Sequence, residues 1–564
     1  MDFTASYAHA STSSLRFSPG STFLASLVGN PSRTVVVRSA LSLTPVRSWD
    51  LPLTLHSLQW SGDGAFLLVT ALEDATVFVL SLDPKREARH GEDAGEGWIA
   101  RLQAGAEGLV HAQWAPNDGP HTVLCFSEND MRVTAWQLAS ETPTLIDSPK
   151  TARAYSNAQS NIFALLQRHD SKEAVSLFVQ GSHGNAKRER HLELADPDGD
   201  GQGWRLWKSF LIATNDAAGL AWSPTGLHIA VWESLLEYKL QLYTIAGQLR
   251  ATFAIEAGAE EPTTVYPTSS RANNGTSLAS TQQGSLGPSS SLRNRKAQEH
   301  LSDNRSIAGG GLGIRCVEFA PSGKYLAVGG ADEKLWILDA TDGQQLFVLD
   351  HSKKSYGASS KSNGTSEQLI AWREPHRWIE ETGGRGIITL EQNTLPVAPP
   401  AVRVDHTKPF PKSGVSWLSW SPDGSLIASR NENVPGTIYI WLVEPQSASA
   451  PILLAMLLLA APVTRACWQP AGTREDSAIA ATGATLGLVC GTSAIYQWSR
   501  NPEKSQNAEA IPIPIDGFAA HVLRWSPDGA NLLLADATAG AFCCAIDADG
   551  QDGSRSVSIA DESR

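Results

Sequence analysis

A short phrase recurs along the chain: an aromatic residue, a small residue, usually Pro, then a turn that closes on Gly. It reads Phe17-Ser18-Pro19-Gly20, Trp60-Ser61-Gly62-Asp63-Gly64, Trp114-Ala115-Pro116-Asn117-Asp118-Gly119 and Trp222-Ser223-Pro224-Thr225-Gly226. It returns as Phe319-Ala320-Pro321-Ser322-Gly323, Trp420-Ser421-Pro422-Asp423-Gly424, Trp468-Gln469-Pro470-Ala471-Gly472 and Trp525-Ser526-Pro527-Asp528-Gly529. A repeated unit of this size cannot bury its apolar face alone, so the copies must stack. The local grammar is β. Pro fixes φ in the turn, Asp bonds back to the backbone and Gly takes positive φ. A strand follows each turn, as in Phe66–Thr70, Tyr325–Val328 and Leu426–Ser429. A second, alternating strand comes next, as in Thr76–Leu80, Lys334–Leu338, Thr437–Trp441 and Ala494–Trp498. β-branched and aromatic residues at period two suit strands packed between sheets. The recurring aromatics are read as fillers between neighbouring units.

The spacing sets the unit. The aromatics lie 43 residues apart from Phe17 to Trp60, 54 from Trp60 to Trp114, 48 from Trp420 to Trp468 and 57 from Trp468 to Trp525. A four-stranded propeller blade needs roughly 40–45 residues. The step of 108 from Trp114 to Trp222 hides a degenerate copy, with strands at Asn161–Leu166 and Ala174–Val179. The steps of 97 and 101 on either side of Phe319 each hold one blade plus an insertion, or another degenerate blade. The expected fold is all-β: a propeller over residues 1–547, as one large ring of eight to nine blades or as two smaller propellers. Closing a ring removes sheet edges.

Composition trims the functions available. The net charge is −13, which argues against a reader of phosphate backbones, whose face must be basic. Lys187-Arg188-Glu189-Arg190 is short and interrupted. The six cysteines, Cys125, Cys316, Cys467, Cys490, Cys543 and Cys544, form no C-x-x-C pair and read as buried thiols of a reducing compartment. The polar start Met1-Asp2-Phe3-Thr4 reads as free of a signal peptide. The apolar run Ile452–Ala461 is too short to cross a bilayer and reads as a buried strand. Residues 256–310 and 351–368 are polar and low in large apolar residues, which predicts disorder for the first. Within 351–411, expected to be largely irregular, Gln368–Trp372 and Gly386–Leu390 are candidate strands. The tail 548–564 is expected to be mobile.

Chemical motifs are sparse. Asp196-Pro197-Asp198-Gly199-Asp200-Gly201 matches the first half of a calcium-binding loop, but Trp207 stands where a bidentate Glu belongs. Gly309-Gly310-Gly311-Leu312-Gly313 lacks the Gly-Lys-Ser/Thr of a phosphate loop. No nucleophile elbow or His-Glu-x-x-His occurs, and the fourteen His assemble into no triad or ligand set. The chain is expected to be no enzyme and to hold no metal or cofactor.

The repeats resemble WD repeats in a divergent form. Most lack the Gly-His dipeptide, and the Trp-Asp ending is altered to Trp136-Gln137, Trp441-Leu442 and Trp498-Ser499. Two stretches are more specific: Ile229–Tyr243, with Glu237 and Tyr238, and Ala428–Trp441, with Arg430, Asn431, Asn433 and Pro435. Together with Met1-Asp2-Phe3, Leu15–Gly20 and Gly108-Leu109-Val110, they resemble the WD-repeat anchoring proteins of centrosomes and spindle poles, whose animal member is encoded antisense to a p53-family gene. The long insert at 256–310 makes this chain similar to a fungal-type member. The resemblance implies a non-enzymatic scaffold in the cytoplasm, at the microtubule-organising centre. It implies a coiled-coil spindle-pole or centrosomal partner, a minus-end-directed kinesin and other components of that centre, with neither nucleic acid nor membrane. Such a complex anchors microtubule minus ends and supports mitotic spindle assembly. A scaffold in a translation-initiation or RNA-processing complex is the alternative. The six signature residues are expected in turns and blade contacts or at a partner.

Overall fold

The recurring phrase builds a turn held by its own side chains. In the computed structural model, the backbone N–H of Ser61, Ser223, Ser421 and Ser526 donates to the carbonyls of Phe66, His228, Leu426 and Asn531 at 2.8–2.9 Å. The serine hydroxyls accept the returning N–H of the same four residues at 2.8–3.0 Å. Asp63, Asp423 and Asp528 in turn accept from the serine hydroxyl two residues back. Gly64, Gly226, Gly424 and Gly529 close the turn at φ of 70–71°, a conformation that costs other residues a steric penalty.

The structure describes residues 14–82, 98–116, 121–138, 143–157, 159–180, 204–255, 262–266, 313–357, 368–405 except 385, 407–443 except 409, 450–471, 483–536 except 502 and 504, and 540–545, with 2–3 and 7–8. The acidic turn 196–201, the glycine run 309–312 and the tail 548–564 lie outside them. So does most of 256–310.

Nine sheets follow one another among the described residues. Blades 1 to 8 each take four consecutive strands, within 16–50, 57–103, 111–147, 155–212, 217–254, 314–350, 415–458 and 465–512. Blade 9 takes Ala520–Trp525, Asn531–Asp536 and Gly540–Ala545, and its fourth strand comes from the other end of the chain. There Asp2 and Phe3 pair antiparallel with Ala545 and Cys544, while Tyr7 and Ala8 pair with Ala541 and Gly540.

The core is a circuit of apolar layers between blades. Each sheet packs on the next, from the layer around Leu27, Leu58 and Leu67 between blades 1 and 2 to that around Val489, Leu523 and Leu532 between blades 8 and 9. A final layer of Leu15, Leu24, Leu533 and Ala535 returns from blade 9 to blade 1. The apolar run Ile452–Leu458 is the outer core strand of blade 7 and is largely buried.

The hidden copy is blade 4. Its strands Ile162–His169 and Lys172–Gln180 pair along their full length. Ser156 occupies the place of the aromatic and Asn157 that of the serine: Asn157 N–H donates to the Ile162 carbonyl at 2.9 Å. The two long steps each contain one blade and an insertion. Within the insertions, Thr263–Val265 adds a fifth strand to blade 5, and Ile370–Arg373 runs parallel to Ile452–Leu458 on blade 7. Ile388–Thr389 pairs with the outer strand of blade 8. The antiparallel order puts the phrase turns on one face of the ring. The loops between second and third strands, and the connections between blades, lie on the other, called here the loop face.

Candidate functional site

Blade 6 separates the two signature hairpins, which lie in blades 5 and 7. Its own second and third strands, Tyr325–Gly330 and Lys334–Asp339, are joined on the loop face by a tight turn that presents Asp332 and Glu333. Glu333 sits at φ 58°. From blade 5, the buried Tyr238 donates its O–H to Asp332 Oδ1 at 3.3 Å. Trp336 Nε1 donates to Asp332 Oδ2 at 2.8 Å. From blade 7, Asn431 is fully buried and donates to Glu333 Oε2 at 2.8 Å and to the His351 carbonyl at 3.4 Å. Residues far apart in sequence therefore grip one turn from both sides. Gly330 permits this approach, since a Cβ there would lie 2.3 Å from the Tyr238 ring.

The other signature residues support the grip. Asn431 Oδ1 accepts the Asn433 N–H at 3.0 Å and folds the turn that follows. The Asn433 carbonyl accepts from Val402 N–H at 2.8 Å, and its own Oδ1 is buried without a partner among the described residues. Arg430 donates to the Val463 carbonyl and to Glu432, and the Pro435 carbonyl accepts the Val463 N–H at 2.9 Å. Glu237 stands apart: it is exposed and accepts from Asn215 Nδ2 at 2.9 Å, toward blade 4.

His351, in the connection from blade 6 to blade 7, is buried. Its Nε2 lies 2.7 Å from Ser429 Oγ, its Nδ1 3.0 Å from the Leu349 carbonyl, and its ring stands edge-on to Tyr439. Burial lowers its pKa to about 4 against the weaker pull of the Leu349 carbonyl and Asp350. Burial raises the Asp332 carboxyl, with Trp336 and Lys334 opposing. Burial, then Asp332, pushes the Tyr238 hydroxyl well above its ordinary value. Nothing in the sequence reading pointed to Asp332, Glu333 or His351. The one available signal was the spacing of Asp332 four residues before Trp336 on the third strand.

Two further groups lie on the same face. Glu173 of blade 4, 1% exposed, accepts from Lys150, Arg168, Thr214 and the Ala217 N–H. Burial raises its carboxyl, and those four donors outweigh burial and hold it at about 2. Beside blade 7, Glu374 accepts from Tyr496 Oη at 2.7 Å, Trp378 Nε1 at 2.9 Å and Ala460 N–H at 2.7 Å. It lines an open groove of about 630 Å³ with Arg373, Arg377, Trp378 and Glu391.

The carboxylates of these clusters are engaged by internal partners. A reacting centre instead presents a nucleophile or base toward a space where substrate can sit. What they build is a stiff surface, and loops on a rigid scaffold are where binding resides. Among the described residues, no group of three or more His, Cys, Asp or Glu is placed to hold a metal ion. No helix among them is long and apolar enough to cross a membrane.

The family model for the WD domain, G-beta repeat, matches residues 304–339. Mouse WD repeat-containing protein WRAP73 is 24% identical over 534 residues, covering 92% of this chain and 90% of that protein. An uncharacterized WD repeat-containing protein of Schizosaccharomyces pombe is 22% identical over 152 residues, 27% of this chain and 28% of that one. The crystal structure of Sqt1 from Chaetomium thermophilum aligns over 97% of this chain and 99% of that chain at 13% identity, with a TM-score of 0.44. The chain thus folds as an all-β propeller, carries one segment matched by the WD-repeat model, and is similar to WRAP73 along nearly its whole length.

Proposed function

We propose that this protein is a non-enzymatic scaffold of the spindle pole or centrosome that helps to anchor microtubule minus ends during spindle assembly. The observation that carries the reading is the meeting of its two signature stretches. Tyr238 and Asn431, from the stretches that resemble the spindle-pole family, close on one turn of blade 6. A feature shared by two distant segments and assembled into one rigid element supports a common surface rather than two unrelated turns. The similarity to WRAP73 across both stretches adds to it. The loop face holds the coiled-coil spindle-pole partner, and through it the minus-end-directed kinesin, by surface complementarity with a few dominant anchors.

Imaging the tagged protein through mitosis tests this. Concentration at spindle poles, with misplaced minus ends and delayed spindle assembly after depletion, is the expected result. Absence from the poles at every stage, with ribosomal or RNA-processing proteins co-purifying, would transfer the scaffold to one of those assemblies. Turnover of a small molecule by the purified chain would end the non-enzymatic reading.

A further inference from the structure

We propose that a cationic strap over blades 6 and 7 docks an acidic peptide segment of a protein partner that also carries apolar anchors. The strap is the described residues of 397–412, that is 397–405, 407–408 and 410–412, on the loop face. At one end Val397 pairs with Tyr356 through two backbone hydrogen bonds of 2.8 and 2.9 Å. In the middle the Val402 N–H bonds the Asn433 carbonyl of the signature turn at 2.8 Å. At the other end the Pro411 carbonyl accepts from Arg315 Nη2, on the inner strand of blade 6, at 2.6 Å. The backbone is therefore pinned at three points, and a docking segment meets a preformed surface.

The side chains on it have a pattern. Val402 and Phe410 are each 56% exposed. In the same connection between blades 6 and 7, Arg403, Lys408 and Lys412 on the strap, and Lys353 and Lys354 just before Tyr356, are exposed. Four carboxylates belong to the same blades and strap, three of them engaged by the fold and one, Asp405, exposed on the strap. Asp350 accepts from Ser352 N–H and Oγ at 2.9 and 2.6 Å, Glu333 from Asn431, and Glu432 from Arg430 at 2.9 Å. Asp405 accepts from Thr407 N–H at 3.1 Å and lies 3.7 Å from Lys408. Asp350, Glu333 and Glu432 are turned to donors of the fold, Asp405 is exposed beside Lys408, and all five cations are exposed, on a chain whose net charge is −13. Exposed cations of one sign steer an acidic partner and repel a basic one. Two solvent-facing apolar side chains among them offer contacts to apolar side chains of a partner, which a bare polyanion lacks.

The proposal does not depend on where in the cell the protein works. Its test is fluorescence anisotropy with the full-length protein and a short labelled peptide of Glu, Leu and Phe. Poly-glutamate and a single-stranded oligonucleotide are the competing probes. The Glu/Leu/Phe peptide is expected to bind best, with an affinity that falls as ionic strength rises. Lys353→Glu with Lys354→Glu, and separately Phe410→Ser, should each weaken it by about tenfold or more. Lys172→Glu, an exposed cation on blade 4, should leave it unchanged. All variants lie on the surface, so unchanged melting temperatures show that they are folded. Equal binding of poly-glutamate or the oligonucleotide, insensitivity to Phe410→Ser or to the lysine reversals, or no binding of any probe would each overturn the proposal.

Discussion

The recurring tryptophans do more than fill space. Trp60, Trp222, Trp420, Trp468 and Trp525 each donate Nε1–H to a carbonyl on the inner strand of the preceding blade, at Arg16, Tyr155, Glu318, Ser419 and Cys467, over 2.9–3.4 Å. Each indole thus ties two blades as well as packing between them. Trp420 is 4% exposed and lies parallel to Tyr325. Trp420→Ala should cost about 3–5 kcal/mol, the usual loss for a buried aromatic, measured by chemical denaturation. A loss below about 0.5 kcal/mol, typical of surface changes, would contradict this packing. His351 makes a second single-residue prediction. Its folded pKa of about 4 lies below the ordinary 6.5. Between those values the unfolded chain holds a proton that the folded chain refuses, so stability is lost as pH falls from about 6.5 to about 4. The contribution is about 2–4 kcal/mol. His351→Gln should flatten that part of the stability–pH curve, and an unchanged slope would show that the imidazole titrates freely in the folded state.

What was legible in the sequence was whatever a few adjacent residues decide. The Ser-Pro-Asp-Gly turn closes on itself through Ser421 and Asp423, so its letters recur wherever the turn does. Blade 4 had to be inferred from spacing because Ser156 and Asn157 replace those letters, although Asn157 keeps the backbone bond. The added strands of the insertions were harder to see. Ile370–Arg373 was readable as a candidate strand, but its parallel partner lies more than eighty residues on, and no local signal names it. The clamp on blade 6 was illegible for the same reason. Tyr238, Asp332, Glu333 and Asn431 are ordinary turn residues until three blades are stacked. The clamp yields its own prediction. Asn431→Ala leaves Glu333, the His351 carbonyl and the Asn433 N–H without their shared partner, and should cost about 1–3 kcal/mol. Tyr238→Phe removes one long hydrogen bond and should cost about 1 kcal/mol or less. If Asn431→Ala costs no more than Tyr238→Phe in the same denaturation assay, the clamp is not what holds the blade 6 turn.

A ring of stacked sheets is only as stable as its last joint, because every other blade interface is made by segments that follow one another in the chain. Here the joint is built from the two ends. Phe3 pairs with Cys544, Tyr7 with Ala541, Arg524 Nη1 donates to the Leu15 carbonyl at 3.1 Å, and the Asp528 N–H donates to Ser21 Oγ at 3.0 Å. Among the described side chains, Leu15 and Leu24 meet Leu533 and Ala535, with Phe17, Leu43 and Val522 at the margin. Backbone pairing by residues 2–3 and 7–8 therefore gives blade 9 an outer strand that each of the other blades takes from its own consecutive segment. Deleting residues 1–8 exposes the outer edge of Gly540–Ala545 and loses about one kcal/mol for each hydrogen bond forgone. The melting temperature should fall by a few degrees, and the freed edge should make the protein prone to self-association. Deleting 263–265, which caps the outer edge of blade 5 but closes nothing, is the matched comparison and should cost less. Calorimetry with light scattering on both deletions decides the matter: an equal fall in both would mean that the ring holds without its terminal strand.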